Sequence, residues 1–149
     1  MTNDSVNIKN KKASFNYELI DKYEAGIKLL GTEIKSIRNG KASIAEAYCT
    51  FIKDELFILN MHITEYNHGG FVNHEPTRKR KLLLHRQELE KLQKKLTNQG
   101  LTIIPVRLYI NKNGFAKLQI ALAKGKKLYD KREDLKAKDA KRAIDRVNI

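Results

Sequence analysis

The stretch that decides the fold is Ile104-Pro105-Val106-Arg107-Leu108-Tyr109-Ile110, followed by Asn113-Gly114 and then Ala116-Lys117-Leu118-Gln119-Ile120-Ala121-Leu122. Ile104, Val106, Leu108 and Ile110 alternate with other residues, and so do Ala116, Leu118, Ile120 and Leu122. A period of two places one apolar face on each of two strands. Asn113-Gly114 between them is the turn chemistry of a tight hairpin. Lys117 and Gln119 then point away from the core. Pro105 lacks an N–H donor, so the first strand is an edge or starts irregularly.

The same period recurs upstream. Phe15, Tyr17 and Leu19 alternate, and Ala25, Ile27 and Leu29 resume the pattern after the charged Asp21–Glu24 stretch, so residues 15–29 read as two strands. Gly26 inside the second run signals a bulge or a close backbone approach. Residues 47–61 read as another pair, turning at Lys53-Asp54-Glu55, with Leu56–Leu59 apolar enough to be buried on both sides. Two short helices interrupt the strands. One begins after Gly31, with Thr32 as N-cap, Ile34 and Ile37 on one face, Lys35 and Arg38 on another, and Asn39-Gly40 as its stop. The other runs from about residue 86 to 99, with Leu89, Leu92 and Leu96 as its apolar stripe and Gly100 at its end. Between these helices, residues 64–81 lack periodicity and form a long loop ending in the basic run Arg78-Lys79-Arg80-Lys81.

This pattern predicts a mainly β protein. Its centre is a six-to-eight-stranded antiparallel barrel of the oligonucleotide-binding type, with flanking short helices and a basic C-terminal tail. The barrel domain is expected over residues 1–122. Residues 123–149 lose apolar density and are expected to be disordered when free and helical on a partner.

Composition narrows the function. The 149 residues hold 30 Lys and Arg against 17 Asp and Glu, a net charge of +13. The excess is local: residues 13–75 are net −3, whereas residues 76–95 are net +6. Clustering of this kind points to a polyanionic partner: nucleic acid, an anionic membrane or an acidic protein. No apolar run has the length of a membrane helix. With the single Cys49, no internal disulfide can form, and a cytoplasmic protein is expected. His62, His68 and His74 are spaced six apart, which matches no common zinc pattern, so neither metal nor cofactor is expected. No nucleophile elbow, phosphate-binding loop or dinucleotide fingerprint occurs, so neither an enzyme nor a small-molecule substrate is expected. The basic run beside a Gly/His/Tyr/Phe loop favours RNA, because aromatic rings and cations together supply stacking and phosphate contacts.

Several ordered motifs resemble one family. Asn10-Lys11-Lys12-Ala13, Tyr23-Glu24-Ala25-Gly26-Ile27, Gly31-Thr32-Glu33-Ile34-Lys35-Ser36-Ile37-Arg38 and Gly40-Lys41-Ala42 are followed by Pro76-Thr77-Arg78-Lys79-Arg80-Lys81-Leu82-Leu83-Leu84. Ala123-Lys124-Gly125-Lys126-Lys127 and Asp130-Lys131-Arg132 complete the set. Together they resemble the small protein B (SsrA-binding protein) family. The resemblance implies binding to the transfer-RNA-like domain of transfer-messenger RNA (tmRNA) and its delivery to stalled ribosomes for trans-translation. It implies RNA contacts at Asn10, Tyr17, Glu24 and Lys117, with Leu84 structural. It extends RNA binding to Glu33, Lys35, Arg38, Arg78, Arg80 and Lys81 in the matching motifs. Gly125, Lys126, Lys127, Tyr129, Asp130, Lys131 and Arg132 match the tail that acts on the ribosome, at the small-subunit decoding centre and message channel. Tyr129 replaces a His found in some members and keeps an aromatic ring there. A generic single-strand-binding barrel and a basic protein adaptor are the competing readings.

Overall fold

The computed structural model describes residues 6–66, 73–97 and 100–125. Nine strands and three helices occur among them: β1 (Asn7–Lys9), α1 (Ala13–Asn16), β2 (Tyr17–Ile27), α2 (Gly31–Arg38), β3 (Ala42–Ser43), β4 (Tyr48–Ile52), β5 (Glu55–Leu59), β6 (His62–Ile63), β7 (Arg80–Leu83), α3 (Arg86–Leu96), β8 (Leu101–Ile110) and β9 (Ala116–Gly125). Every strand pairing is antiparallel. The main sheet runs β1-β8-β4-β5-β7-β2-β9, and β9 pairs back onto β8. The strands β8, β4, β5, β7, β2 and β9 therefore close into a six-stranded ring, which leaves no long unpaired edge inside it.

The decisive hairpin forms as its turn chemistry requires, with Gly114 at φ 84° and Ile110 opposite Ala116. A second hairpin joins β4 and β5 through Lys53 (φ 50°) and Asp54 (φ 64°). Two consecutive left-handed residues match the right-handed twist of the flanking strands. Glu55, expected in that turn, is the first residue of β5, paired with Ile52. Leu56 and Ile58 are buried while Phe57 and Leu59 are half-buried, so β5 is two-faced rather than sealed on both sides.

Two bulges explain where simple alternation fails. β8 shifts register between Pro105 and Arg107, and β2 shifts between Leu19 and Asp21. An extra residue reverses which parity faces inward. Ile103, Leu108 and Ile110 thus point into the main core, whereas Ile104 joins Ala13, Ala123, Tyr17 and Leu19 in a small cluster on the other face. Ile104 does not share the face of Leu108, contrary to the alternation. Residues 15–29 hold one bulged strand instead of two, and Phe15 belongs to α1. Close backbone approach holds at Gly26: a Cβ there would lie 3.3 Å from Cβ of Leu83 on β7.

Helix α2 starts one residue before the expected cap. Its N-cap is Leu30, whose N–H donates to Glu33 Oε1 at 2.8 Å. Thr32 instead directs its hydroxyl to His74 Nδ1 at 2.9 Å. His74 Nε2 lies 2.8 Å from the Ile63 carbonyl, which only accepts, so Nε2 carries a proton and donates it there. Ile37 from α2 and Leu92 from α3 are fully buried and plug the ring's interior together with Leu56, Ile58, Leu108, Leu118 and Ile120. At about 25 cal/mol per Å² of apolar surface, such side chains contribute roughly 1.5–3 kcal/mol each.

Two boundaries move. The long loop ends before residue 81, because Arg80 and Lys81 open β7 against Ile58 and Phe57 of β5. The barrel does not end at 122: Ala123 is fully buried, and Gly125 pairs with Tyr17. The tail residues Lys126, Lys127, Tyr129, Asp130, Lys131 and Arg132 lie outside the described residues, as does His68.

Candidate nucleic-acid interface

Antiparallel pairing puts cross-strand partners on one face. Outside the ring, Glu24 on β2, Gln119 on β9, Arg107 on β8 and Lys9 on β1 form one transverse row. Gly26, Lys117, Tyr109 and Asn7 form the next. Among the described residues no helix covers this flank at Glu24 or Lys9, which are both exposed.

The groups on it are ordered by one another. Tyr109 donates its hydroxyl to Glu24 Oε2 at 2.5 Å. The Arg107 guanidinium lies 4.2 Å from the Tyr109 ring centroid, a cation–π stack. Burial, then the bond to Glu24, push the Tyr109 hydroxyl up to about 12, so it stays protonated and keeps donating. Among the described residues only Oε2 of Glu24 is engaged, which leaves Oε1 for an incoming donor. The flank thus offers cations for phosphates, a stacked ring, and one carboxylate that rejects phosphates and accepts from base or ribose groups.

Lys117 links these rows to an apolar hollow of about 410 Å³, lined by Gly26, Ile34, Arg38, Leu83 and Phe115 among others. Leu83 is 50% exposed and Phe115 65% exposed. Leu84 is half-buried against the core, a structural place. Lys35 is exposed and rests its ammonium 5.4 Å from the Tyr66 ring centroid.

Other expected contacts are placed differently. Glu33 and Arg80 have fully buried side chains, with Arg80 Nε 2.5 Å from Glu33 Oε2. Arg78 Nη2 reaches Glu33 Oε1 at 2.6 Å and the Lys28 carbonyl at 3.3 Å. Arg80 also donates to the carbonyls of Met61 (2.7 Å) and Pro76 (3.0 Å). Burial alone would raise the Glu33 pKa, but bonds from Arg78, the Leu30 N–H and Arg80 outweigh it and hold the carboxyl below its ordinary range. Glu33 and Arg80 are therefore corrected from RNA contacts to an internal ion triad with Arg78 that fastens α2 and the backbone at Met61 and Pro76 to β7.

Asn10 is half-buried. Its N–H donates to the Val106 carbonyl at 2.8 Å and Nδ2 to the Pro105 carbonyl at 3.0 Å, which braces the β8 bulge. Its Oδ1 is buried with no hydrogen-bond partner among the described residues. Tyr17 is half-buried beside α1 and lines a second hollow of about 410 Å³ with Asn10, Asn16 and Tyr48. Lys81 pairs with Glu55 at 3.1 Å on another side of the ring.

Sequence reasoning placed Gln119 on the outer face but did not single out Arg107, Tyr109 or Lys9. The signal was present, since Arg107 and Tyr109 have outward parity in the hairpin opposite Lys117. Alternation identifies the outer face but not which part of it remains uncovered.

A closed antiparallel ring with an ordered basic and aromatic flank defines a barrel suited to meeting a polyanion. The family model described as SmpB protein matches residues 7–148. An SsrA-binding protein of Christiangramia forsetii is 64% identical over 143 residues, covering 96% of this chain and 91% of that protein. One from Phocaeicola vulgatus is 61% identical over 142 residues, covering 95% of each. A chain from the solved structure described as "tmRNA-SmpB: a journey to the center of the bacterial ribosome" superposes with a TM-score of 0.71 at 41% identity, covering 88% of this chain and 95% of that one. The chain belongs to the SmpB family.

Proposed function

We propose that this chain binds tmRNA through the β2/β9/β8 flank and delivers it to stalled ribosomes for trans-translation. The ribosome is thereby rescued and the nascent peptide tagged for degradation. The observation that carries the reading is the ordered Glu24–Tyr109–Arg107 cluster beside Lys117, uncovered on a chain of this family. Arg107, Lys117, Lys35 and Arg38 meet phosphates. Glu24 takes a base or ribose donor, which makes recognition depend on the RNA's shape as well as its charge. The protein works by placing RNA, with no chemical step of its own, and it acts in the cytoplasm, where the ribosome is. Among the described residues no helix is long and apolar enough to cross a membrane.

The tail takes over where β9 ends. Gly125, the last of the described residues, is still paired with Tyr17, and Lys126, Lys127, Tyr129, Asp130, Lys131 and Arg132 act at the small-subunit decoding centre and message channel. The test compares binding to the transfer-RNA-like domain with binding to an unstructured RNA of equal length at moderate salt. Preference for the folded RNA supports the reading, and equal affinity reduces the protein to a generic polyanion binder.

A further inference from the structure

We infer that residues 6–10 are a clasp that closes the barrel at the β4/β8 joint, opens ahead of the rest of the fold, and is locked by RNA lying across Lys9 and Arg107. The lock rests on the tmRNA reading above, and the clasp does not. The joints of the ring are unequal. β2 and β9 pair from Tyr17–Gly125 to Gly26–Lys117, and β8 and β9 pair from Leu101–Lys124 to Ile110–Ala116. β4 and β5 pair along the whole of both strands. The β2/β7 joint is shorter, at Gly26–Leu83 and Ile27–Leu82, but the Lys28 N–H extends it to the Lys81 carbonyl. Arg78 rivets it further by reaching both the Lys28 carbonyl and Glu33 of α2. The β5/β7 joint pairs at Phe57–Lys81 and Ile58–Arg80, with the Lys81–Glu55 ion pair across it. β4 meets β8 at Cys49–Ile103 alone. Among the described residues no ion pair crosses that joint.

Beyond Ile103, the edge of β8 that faces away from β9 is taken by the N-terminal segment. Asn10 donates to the Pro105 and Val106 carbonyls, and β1 pairs with Arg107–Tyr109. Val6 and Ile8 pack against the core, while Asn7 and Lys9 are exposed. A three-residue ladder and two apolar side chains thus finish the closure. Short segments near a terminus with few buried groups open at low free energy. Ala13 is buried with Ile104 and Ala123 and fixes the far end, so the clasp can lift without unseating α1. Once it lifts, β4 is left on β8 by one residue pair, and Cys49, buried at that pair, becomes accessible. RNA supplies a second hold. Lys9 stands opposite Arg107 in the outward row that continues through Gln119 to Glu24. A phosphate backbone laid along that row grips β1 and β8 together, so lifting the clasp breaks the Lys9 contact. Binding and opening then oppose each other by the same factor.

The chain's single cysteine is the probe. Burial pushes the Cys49 thiol pKa up, which leaves the closed state unreactive toward dithionitrobenzoate. Its rate of reaction is followed in the full chain through a urea series below the unfolding transition. The free protein should react at a rate that is nearly flat in low urea and then rises steeply as global unfolding takes over. Asn10→Ala, checked for folding by circular dichroism, should raise the flat part about fivefold, as loss of one hydrogen bond from the clasp requires. Saturation with the transfer-RNA-like domain should slow the flat part roughly five- to eightfold at about 0.1 M salt, the worth of one phosphate contact. Lys9→Ala, saturated with the same RNA, should show no slowing. A rate that follows global unfolding at every urea concentration, or a flat part indifferent to Asn10→Ala, overturns the clasp. Equal slowing in Lys9→Ala, or RNA that binds without slowing, overturns the lock and leaves the tmRNA reading standing. Failure of the RNA to bind overturns that reading and the lock together, and the free-protein rates still decide the clasp.

Discussion

Two acidic residues in neighbouring motifs have opposite fates. Glu33 is fully buried between Arg78 and Arg80. Glu24 lies exposed on the outer flank, held by one hydroxyl bond from Tyr109. The first cluster spends its charges inside the protein and makes structure. The second keeps an unused oxygen and adjacent cations turned outward, so it is available to a partner. Whether a charged residue serves fold or binding is thus set by what its strand or helix packs against, and not by its type or its motif.

The largest test of this contrast is to break the buried side. Glu33→Ala leaves Arg80 charged and enclosed, and removing one member of a buried pair costs about 3–5 kcal/mol. Urea unfolding should show a loss of that size, while the fraction that stays folded binds RNA as before. Glu33→Met/Arg80→Met removes both charges and should recover much of the loss. If the double variant is no more stable than Glu33→Ala, uncompensated charge is not the cause. Acid probes the same triad. The folded Glu33 pKa is depressed, so the unfolded chain takes up the proton first as pH falls. The triad's stabilisation is complete above the unfolded value of about 4.3 and is lost as pH falls through the lower folded value. A Glu33→Gln variant should lose that part of the acid dependence.

The exposed side predicts a smaller effect, on a different readout. Glu24→Ala should weaken binding to the transfer-RNA-like domain by about 1–3 kcal/mol if the carboxylate accepts a donor in the complex. Stability should hardly change, because Glu24 is solvated in the free protein. Simple electrostatics gives the opposite sign, since the change removes a negative charge. A gain in affinity would take Glu24 out of the interface.

Much of the fold was legible in the sequence because it rests on short-range rules. Period-two runs, Asn113-Gly114 and the leucine stripe of α3 each encode their own element. What escaped depends on distant partners. β7 was hidden in a basic run, because Arg80 reads as a surface residue until Glu33 and two backbone carbonyls are brought to it. The bulges at Val106 and Ile20 reverse strand parity, and alternation cannot register them. The interface was half legible for the same reason. Glu24 and Lys117 stand in recognisable motifs, whereas Arg107 and Tyr109 gain their meaning only from pairing with β9 and β1. Asn10 has the motif of a contact, and its amide also braces the β8 bulge.

The smallest expected effect separates two roles within the outer cluster. Tyr109 offers both a hydroxyl, which orients Glu24, and a ring, on which Arg107 stacks. Tyr109→Phe removes only the first. Glu24 stays exposed and can reach its RNA donor without help, so affinity should fall by about 0.5–1.5 kcal/mol, the net worth of one hydrogen bond. Tyr109→Ala removes the ring as well, frees Arg107 to leave the surface, and should cost more. Both are measured by titration against the same folded RNA, beside Glu24→Ala. If Tyr109→Phe costs as much as Tyr109→Ala, the ring and its cation–π stack add nothing. If it costs as much as Glu24→Ala, the carboxylate binds only when the hydroxyl holds it. The flank would then depend on a fixed internal geometry, as the buried triad does, and the contrast between the two regions would narrow to burial alone.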